Sequence, residues 1–247
     1  AVLYTQEGIY FSRFEENPEG VPVQKISFLN FRDKSRVLSM SGFELKPAIG
    51  ENNEYIYSYY HDFAETSDGN IAILKNVTTT FPVNSEAEFL SPEWLSGAVV
   101  QSRDYIVITD KDGKIISENE IAEKTEALPP ELIEGEDSEP VIAPINNTYS
   151  RLACLQNGSF VTISSENRLV NFAKDGGILG NIETKGYPDR LFYPEKGKPS
   201  VTLTKDDITE LWTLDGTEFA VERVYRIPDD CCCVFPGDNE NNILYCT

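Results

Sequence analysis

From end to end the sequence is cut into short runs of Val, Ile, Tyr, Phe and Thr by dipeptides that favour turns. "GIYFSRF", "VQKISFLNF", "NIAILKNV", "DYIVITD", "SFVTISS" and "SVTLT" are representative runs. Their apolar residues recur at nearly every second position, the period of a β-strand. The punctuation is Glu7-Gly8, Asp68-Gly69, Asp112-Gly113, Asn157-Gly158, Asp175-Gly176 and Asp215-Gly216. Glycine reaches positive φ at no steric cost and Asn or Asp tolerates it, so these pairs fit two-residue type I′ hairpins. A chain patterned this way is all-β.

The turns recur. Asp68, Asp112 and Asn157 are 44 and 45 residues apart, and Asp175 and Asp215 are 40 apart. Four short strands per 40–45 residues is the signature of a β-propeller blade. The expected units are 2–41, 43–83, 87–118, 150–182 and 187–222, with two further strands in 231–247. This gives a propeller of about five to six four-stranded blades, read as one domain over 1–247. The incomplete last unit fits either a ring whose ends share a blade or a piece of a longer chain. A β-sandwich is the rival architecture, since it too spaces short strands by 8–12 residues.

Helices are expected to be few and short. "LSPEWLSG" offers Ser91 as N-cap and Pro92 at the first helical position. "SENEIAEKTEAL" has Ser117 and Glu120 at capping-box spacing, which predicts two or three turns. Residues 118–140 hold nine acids, one Lys and the pair Pro129-Pro130. They read as an acidic insertion at 119–140, with Leu132 and Ile133 as apolar anchors for a partner with a basic surface.

Two stretches resemble known propeller families. "ELWTLDGTEFA" (210–220) resembles the end of a WD repeat, where an aliphatic-Trp pair closes one strand and an Asp-Gly turn opens the next. "GIYFSRFEENPEGVPVQKISFLNFRDKSRVLS" (8–39) resembles a blade of TolB-like propellers. Together they make up 43 of the 247 residues. The Gly-His dipeptide of WD repeats is missing. The resemblance implies a binding platform, and fold alone does not give function.

Chemistry is sparse. His61 is the only histidine and lies in the strand-like "YSYYHDF", where a hydrogen-bonded structural role is expected. No G-x-S-x-G elbow, Walker loop or G-x-G-x-x-G occurs. The cysteines do not have zinc spacing. Calcium has a candidate at Asp110 and Asp112 in "TDKDGK", and "GDNEN" (237–241) is a second oxygen-rich turn. The net charge of −20 repels nucleic acid and anionic membrane surfaces and favours basic partners. No apolar run is long enough for a membrane helix.

Binding is the better-supported expectation. Tyr55, Tyr57 and Tyr59 fall on one face of a strand with Tyr60 on the other, and Tyr187, Phe192 and Tyr193 lie in the Pro-rich "KGYPDRLFYPEKGKP". The leading reading is a non-enzymatic scaffold that recognises a protein or other macromolecule through loops at one end. The alternative is a glycosidase-like propeller hydrolase using two carboxylates. At the C-terminus, "DDCCCVFPGDNENNILYCT" folds on paper into a hairpin. It sets Cys233 opposite Cys246, either as reduced strand residues or as a disulfide.

Overall fold

The computed structural model describes residues 1–18, 20–32, 37–89, 91–128, 148–192, 198–206, 208–227, 233–236 and 243–246. The strands form consecutive antiparallel meanders. The first blade is β1 (Val2–Tyr4), β2 (Gly8–Glu16), β3 (Pro22–Asn30) and β4 (Val37–Leu45). The second is β5 (Ala48–Ile49), β6 (Tyr55–Glu65), β7 (Ile71–Phe81), β8 (Val99–Thr109) and β9 (Ile115–Ala127). The third is β10 (Tyr149–Cys154), β11 (Phe160–Ser164), β12 (Arg168–Phe172) and β13 (Ile178–Glu183). The fourth is β14 (Tyr187–Phe192), β15 (Ser200–Lys205), β16 (Ile208–Leu214) and β17 (Val221–Arg226). A two-stranded sheet, β18 (Cys233–Pro236) with β19 (Ile243–Cys246), follows.

The cores lie between successive blades. Tyr10 and Ile26 of the first blade pack with Tyr60, Phe63, Ile71, Ile73 and Val107 of the second. The other face of the second blade, with Ala72, Leu74, Ile106 and Ile108, packs on Leu152, Phe160 and Phe172 of the third. Val161, Ile163 and Leu169 then turn to Val201, Leu203 and Leu214 of the fourth. The middle blades are therefore covered on both faces, which is why every residue of "IAIL" and "FVTIS" is buried. A sandwich would bury one face of each sheet. Blade stacking excludes it and makes this an all-β propeller, with strands β1, β6, β10 and β14 lying side by side along its inner edge.

The blade count differs from the expectation. Among the described residues there are four blades rather than five to six. The units expected at 43–83 and 87–118 are a single sheet, because β7 and β8 stay paired from Ile71↔Thr109 out to Phe81↔Val99. Pro82 and Gly97 lie in the connection, where they mimic a blade boundary in the sequence. That connection carries the one-turn helix α1 (Pro92–Leu95), and Ser91 Oγ accepts the Trp94 amide as its N-cap at 3.2 Å. The 44/45 recurrence is accidental. Asp68 and Asp112 are two turns of one blade, and Asn157 is the first turn of the next. Val2–Tyr4 pairs with Ile9–Phe11 of its own blade.

The hairpins also differ in type. At Gly69, Gly113, Gly158 and Gly176 only the glycine has positive φ, between 78° and 88°. In the first of these, the Gly69 amide donates to Thr66 O and the Thr66 amide to Asn70 O. The same pair of bonds recurs at Asp110, Leu155 and Ala173. These are type I turns closed by a glycine in a G1 bulge, not type I′ turns.

The helix expected in "SENEIAEKTEAL" is a strand. Residues 115–127 pair along the whole of β8, from Thr109↔Ile115 to Val99↔Ala127. Arg103 binds Glu123 at 3.1 Å and Lys75 binds Glu118 at 2.9 Å across the sheet. Partner pairing outweighs the helical preference of Glu, Lys and Ala. The part of the acidic insertion in 119–127 is thus sheet, while Leu132 and Ile133 lie outside the described residues.

Candidate functional site

The inner strands of three successive blades each contain one extra residue. The pairing skips His61 between Tyr60 and Asp62, Arg151 between Ser150 and Leu152, and Asp189 between Pro188 and Arg190. Each is a β-bulge, the device that re-aims a side chain at the edge of a sheet. The bulges bring two neighbouring blades into direct contact. Arg151 holds φ at 62°, unusual for a residue with a Cβ, and its Nε donates to Asp189 O at 3.1 Å. His61 stands edge-on to Tyr59 at 4.1 Å between ring centroids.

His61 is not the hydrogen-bonded strand histidine the sequence suggests. Its Nε2 is buried and has no partner among the described residues. Burial drives its pKa down to about 4, and the positive charges of Arg151 and the α-amino group add to that. The ring is therefore neutral near pH 7.

Two carboxylates sit on the face of the second blade that meets the third. Asp62 Oδ2 accepts the Leu152 amide at 3.0 Å. Asp104, only 1% exposed, accepts Asn76 Nδ2 at 2.7 Å, the Thr148 amide at 2.8 Å and the Tyr149 amide at 3.0 Å. Burial pushes both carboxyls up, and the amide hydrogen bonds oppose it. Asn76 also donates to Ser102 Oγ at 2.8 Å and receives the Thr78 hydroxyl at 2.9 Å. Both acids use their lone pairs to fasten the start of β10 to the second blade.

At the opposite ends of these strands, where the glycine turns lie, a crevice of about 380 Å³ opens between the same two blades. Thr66, Asp68, Asn70, Lys174 and Asp175 form its polar wall, and Ile108 and Ile116 its apolar one. The Thr66 hydroxyl donates to Asp68 Oδ1, and this bond chiefly holds the Asp68 carboxyl below the usual range, so it is ionised. Lys174 Nζ is 3.9 Å from Asp68 Oδ2, a loose ion pair. Asn119 Nδ2 donates to Lys174 O at 2.8 Å and ties the two blades at the rim.

The residues singled out from the sequence are scattered. Tyr55, Tyr57 and Tyr59 do share a face of β6 and Tyr60 is buried on the other, but all three are partly covered. Tyr55 packs on Phe89 at 5.4 Å, and Tyr57 on Tyr59 at 5.9 Å. Tyr187 is 68% exposed and Phe192 half-buried; both belong to strand β14, not to a loop. Strand β10 separates them from the β6 tyrosines, and Tyr193 lies outside the described residues. Asp110 Oδ1 accepts the Asp112 and Lys114 amides as an ordinary turn cap. Among the described residues no three His, Cys, Asp or Glu side chains converge as a metal site, and no helix is long and apolar enough to cross a membrane.

Sequence reasoning missed Asp68, Lys174 and Asp175 as more than turn residues. A signal existed. "KDGKII" (111–116) and "KDGGIL" (174–179) are one motif repeated in consecutive blades.

No family model and no curated protein matches this sequence. In structure the chain is similar to a Bacteroides caccae protein of unknown function, 13% identical, covering 87% of this chain and 76% of that one, TM-score 0.39. It is similar to Kluyveromyces lactis Hsv2, 10% identical, covering 92% and 74%, TM-score 0.36. It is also similar to the Dos1 propeller, 8% identical, covering 99% and 84%, TM-score 0.37.

Proposed function

We propose that this chain is a non-enzymatic propeller that binds a protein or other macromolecule at one end of its blades. The observation that supports this reading is the employment of its two buried acids. A glycosidase needs one carboxyl free to give a proton and a second free to act on the sugar, about 5–10 Å apart. Asp62 and Asp104 are instead held by the backbone amides of Leu152, Thr148 and Tyr149. Neither lines the crevice. The net charge of −20 favours a basic partner.

The test is a comparison of wild type with Asp104→Asn on a panel of aryl glycosides. No turnover is expected in either. The substitution sets an NH₂ group against amide donors that now point at a carboxylate, so stability to urea should fall by about 2–3 kcal/mol. Turnover by the wild type that vanishes in Asp62→Asn or Asp104→Asn overturns the reading in favour of the hydrolase.

A further inference from the structure

We propose that the crevice between the second and third blades receives one arginine side chain of a partner polypeptide, with apolar partner residues on either side of it. This rests on the binding reading above and gives it a site and a chemistry.

Three observations converge. First, the repeated Lys-Asp-Gly hairpins each open an outer strand with two consecutive aliphatics, Ile115-Ile116 and Ile178-Leu179. Alternation along a strand should bury one of each pair. All four are exposed, at 49%, 57%, 62% and 59%. Ile116 lines the crevice, and Ile178 follows directly on the Asp175–Gly177 turn at its rim. The hairpins are docked together, since a Cβ at Gly176 would lie 3.1 Å from Glu120 O.

Second, the polar wall is under-neutralised. Among the described residues that line the crevice, Asp68 and Asp175 share one cation, Lys174, whose contact with Asp68 is long and half in water, with the two side chains 55% and 54% exposed. Such a pair contributes little and yields readily to a better one. A guanidinium offers a planar fork that meets a carboxylate with two hydrogen bonds, which an ammonium cannot. The field of a chain with net charge −20 draws such a cation in.

Third, the dimensions fit. A volume of about 380 Å³ is at the small end of ligand sites and suits one long side chain with its water. Ile108 and Ile116 would carry its methylenes while Asp68 and Asp175 hold its head.

The test uses acetyl-leucyl-arginyl-leucinamide as probe and its glutamine analogue as control, read by amide shifts of ¹⁵N-labelled protein. Saturable shifts confined to residues 66–70, 115–119 and 173–179 are expected for the arginine peptide, with the glutamine peptide about tenfold weaker. Asp68→Asn with Asp175→Asn should weaken binding about tenfold, and Lys174→Ala should tighten it by removing the competing cation. Glu15→Gln with Glu44→Gln removes equal charge from the first blade and should change nothing. Shifts spread over the acidic surface, equal response to both peptides, equal loss in the Glu15/Glu44 variant, or no saturable response up to about 20 mM would each overturn the inference. A failure of the underlying reading shows elsewhere, as turnover that depends on Asp62 or Asp104.

Discussion

His61 has a neutral imidazole wedged into a bulge with its Nε2 unpaired, so charging it costs more in the fold than in the unfolded chain. Between its ordinary value of 6.5 and its folded value of about 4 the unfolded chain binds more protons. Its contribution to stability is therefore complete above pH 6.5 and is lost as pH falls, by about 3 kcal/mol at pH 4. His61→Gln should flatten urea stability between pH 4 and 6.5 relative to wild type; an unchanged slope sinks the account. A second residue-level prediction concerns cysteine. Cys154 is buried and free. Cys233 and Cys246 are backbone partners, the register the hairpin reading expects. Pro236 has no amide to donate, so its pair with Ile243 is a non-hydrogen-bonded one, and alternation makes Cys233↔Cys246 hydrogen-bonded. Cα atoms about 5.5 Å apart there suit a disulfide. After incubation with oxidised glutathione, three titratable thiols are expected in denaturant; five would rule the link out.

At the level of elements, the bulges show what a strand pattern hides and reveals. Buried side chains recur at i and i+3 on all three inner strands: Tyr60 and Phe63, Tyr149 and Leu152, Pro188 and Leu191 for the partly covered last pair. That break in the period of 2 is visible in the sequence. Its meaning is not, because an odd spacing alone does not separate a bulge from a loop. Strand β9 carries the opposite lesson. Nothing in "SENEIAEKTEAL" favours a strand, and only β8 as a partner makes it one. This yields a prediction about the acidic segment. Deleting 119–127 removes most of the 13-residue β9 and exposes the edge of β8, so the melting temperature should fall by several degrees. A melting temperature equal to that of the wild type would contradict the pairing.

For the whole molecule, net charge and blade stacking pull in opposite directions. A surface of −20 repels itself, and the interblade cores with the Asp62 and Asp104 clamps resist that repulsion. Added NaCl should raise the melting temperature between about 10 and 200 mM as the Debye length shrinks from about 30 Å to below 10 Å. Calorimetry should show one transition if the stacked blades unfold together, and resolved transitions would mean that they do not. The sequence by itself determined the all-β class, the strands of the first blade and most of those of the third and fourth to within a few residues, the Ser91 cap and the Cys233–Cys246 register, whereas β14 looked like a Pro-rich loop. Those features come from local alternation, turn chemistry and capping, which act over a few residues. Tertiary structure alone decided that 48–127 is one blade, that 115–127 is a strand, that His61 is left unpaired, and that Asp68, Lys174 and Asp175 share a crevice. Each of these depends on which distant strand lies alongside, and a pattern of period 2 says that a strand exists without saying which partner it will find.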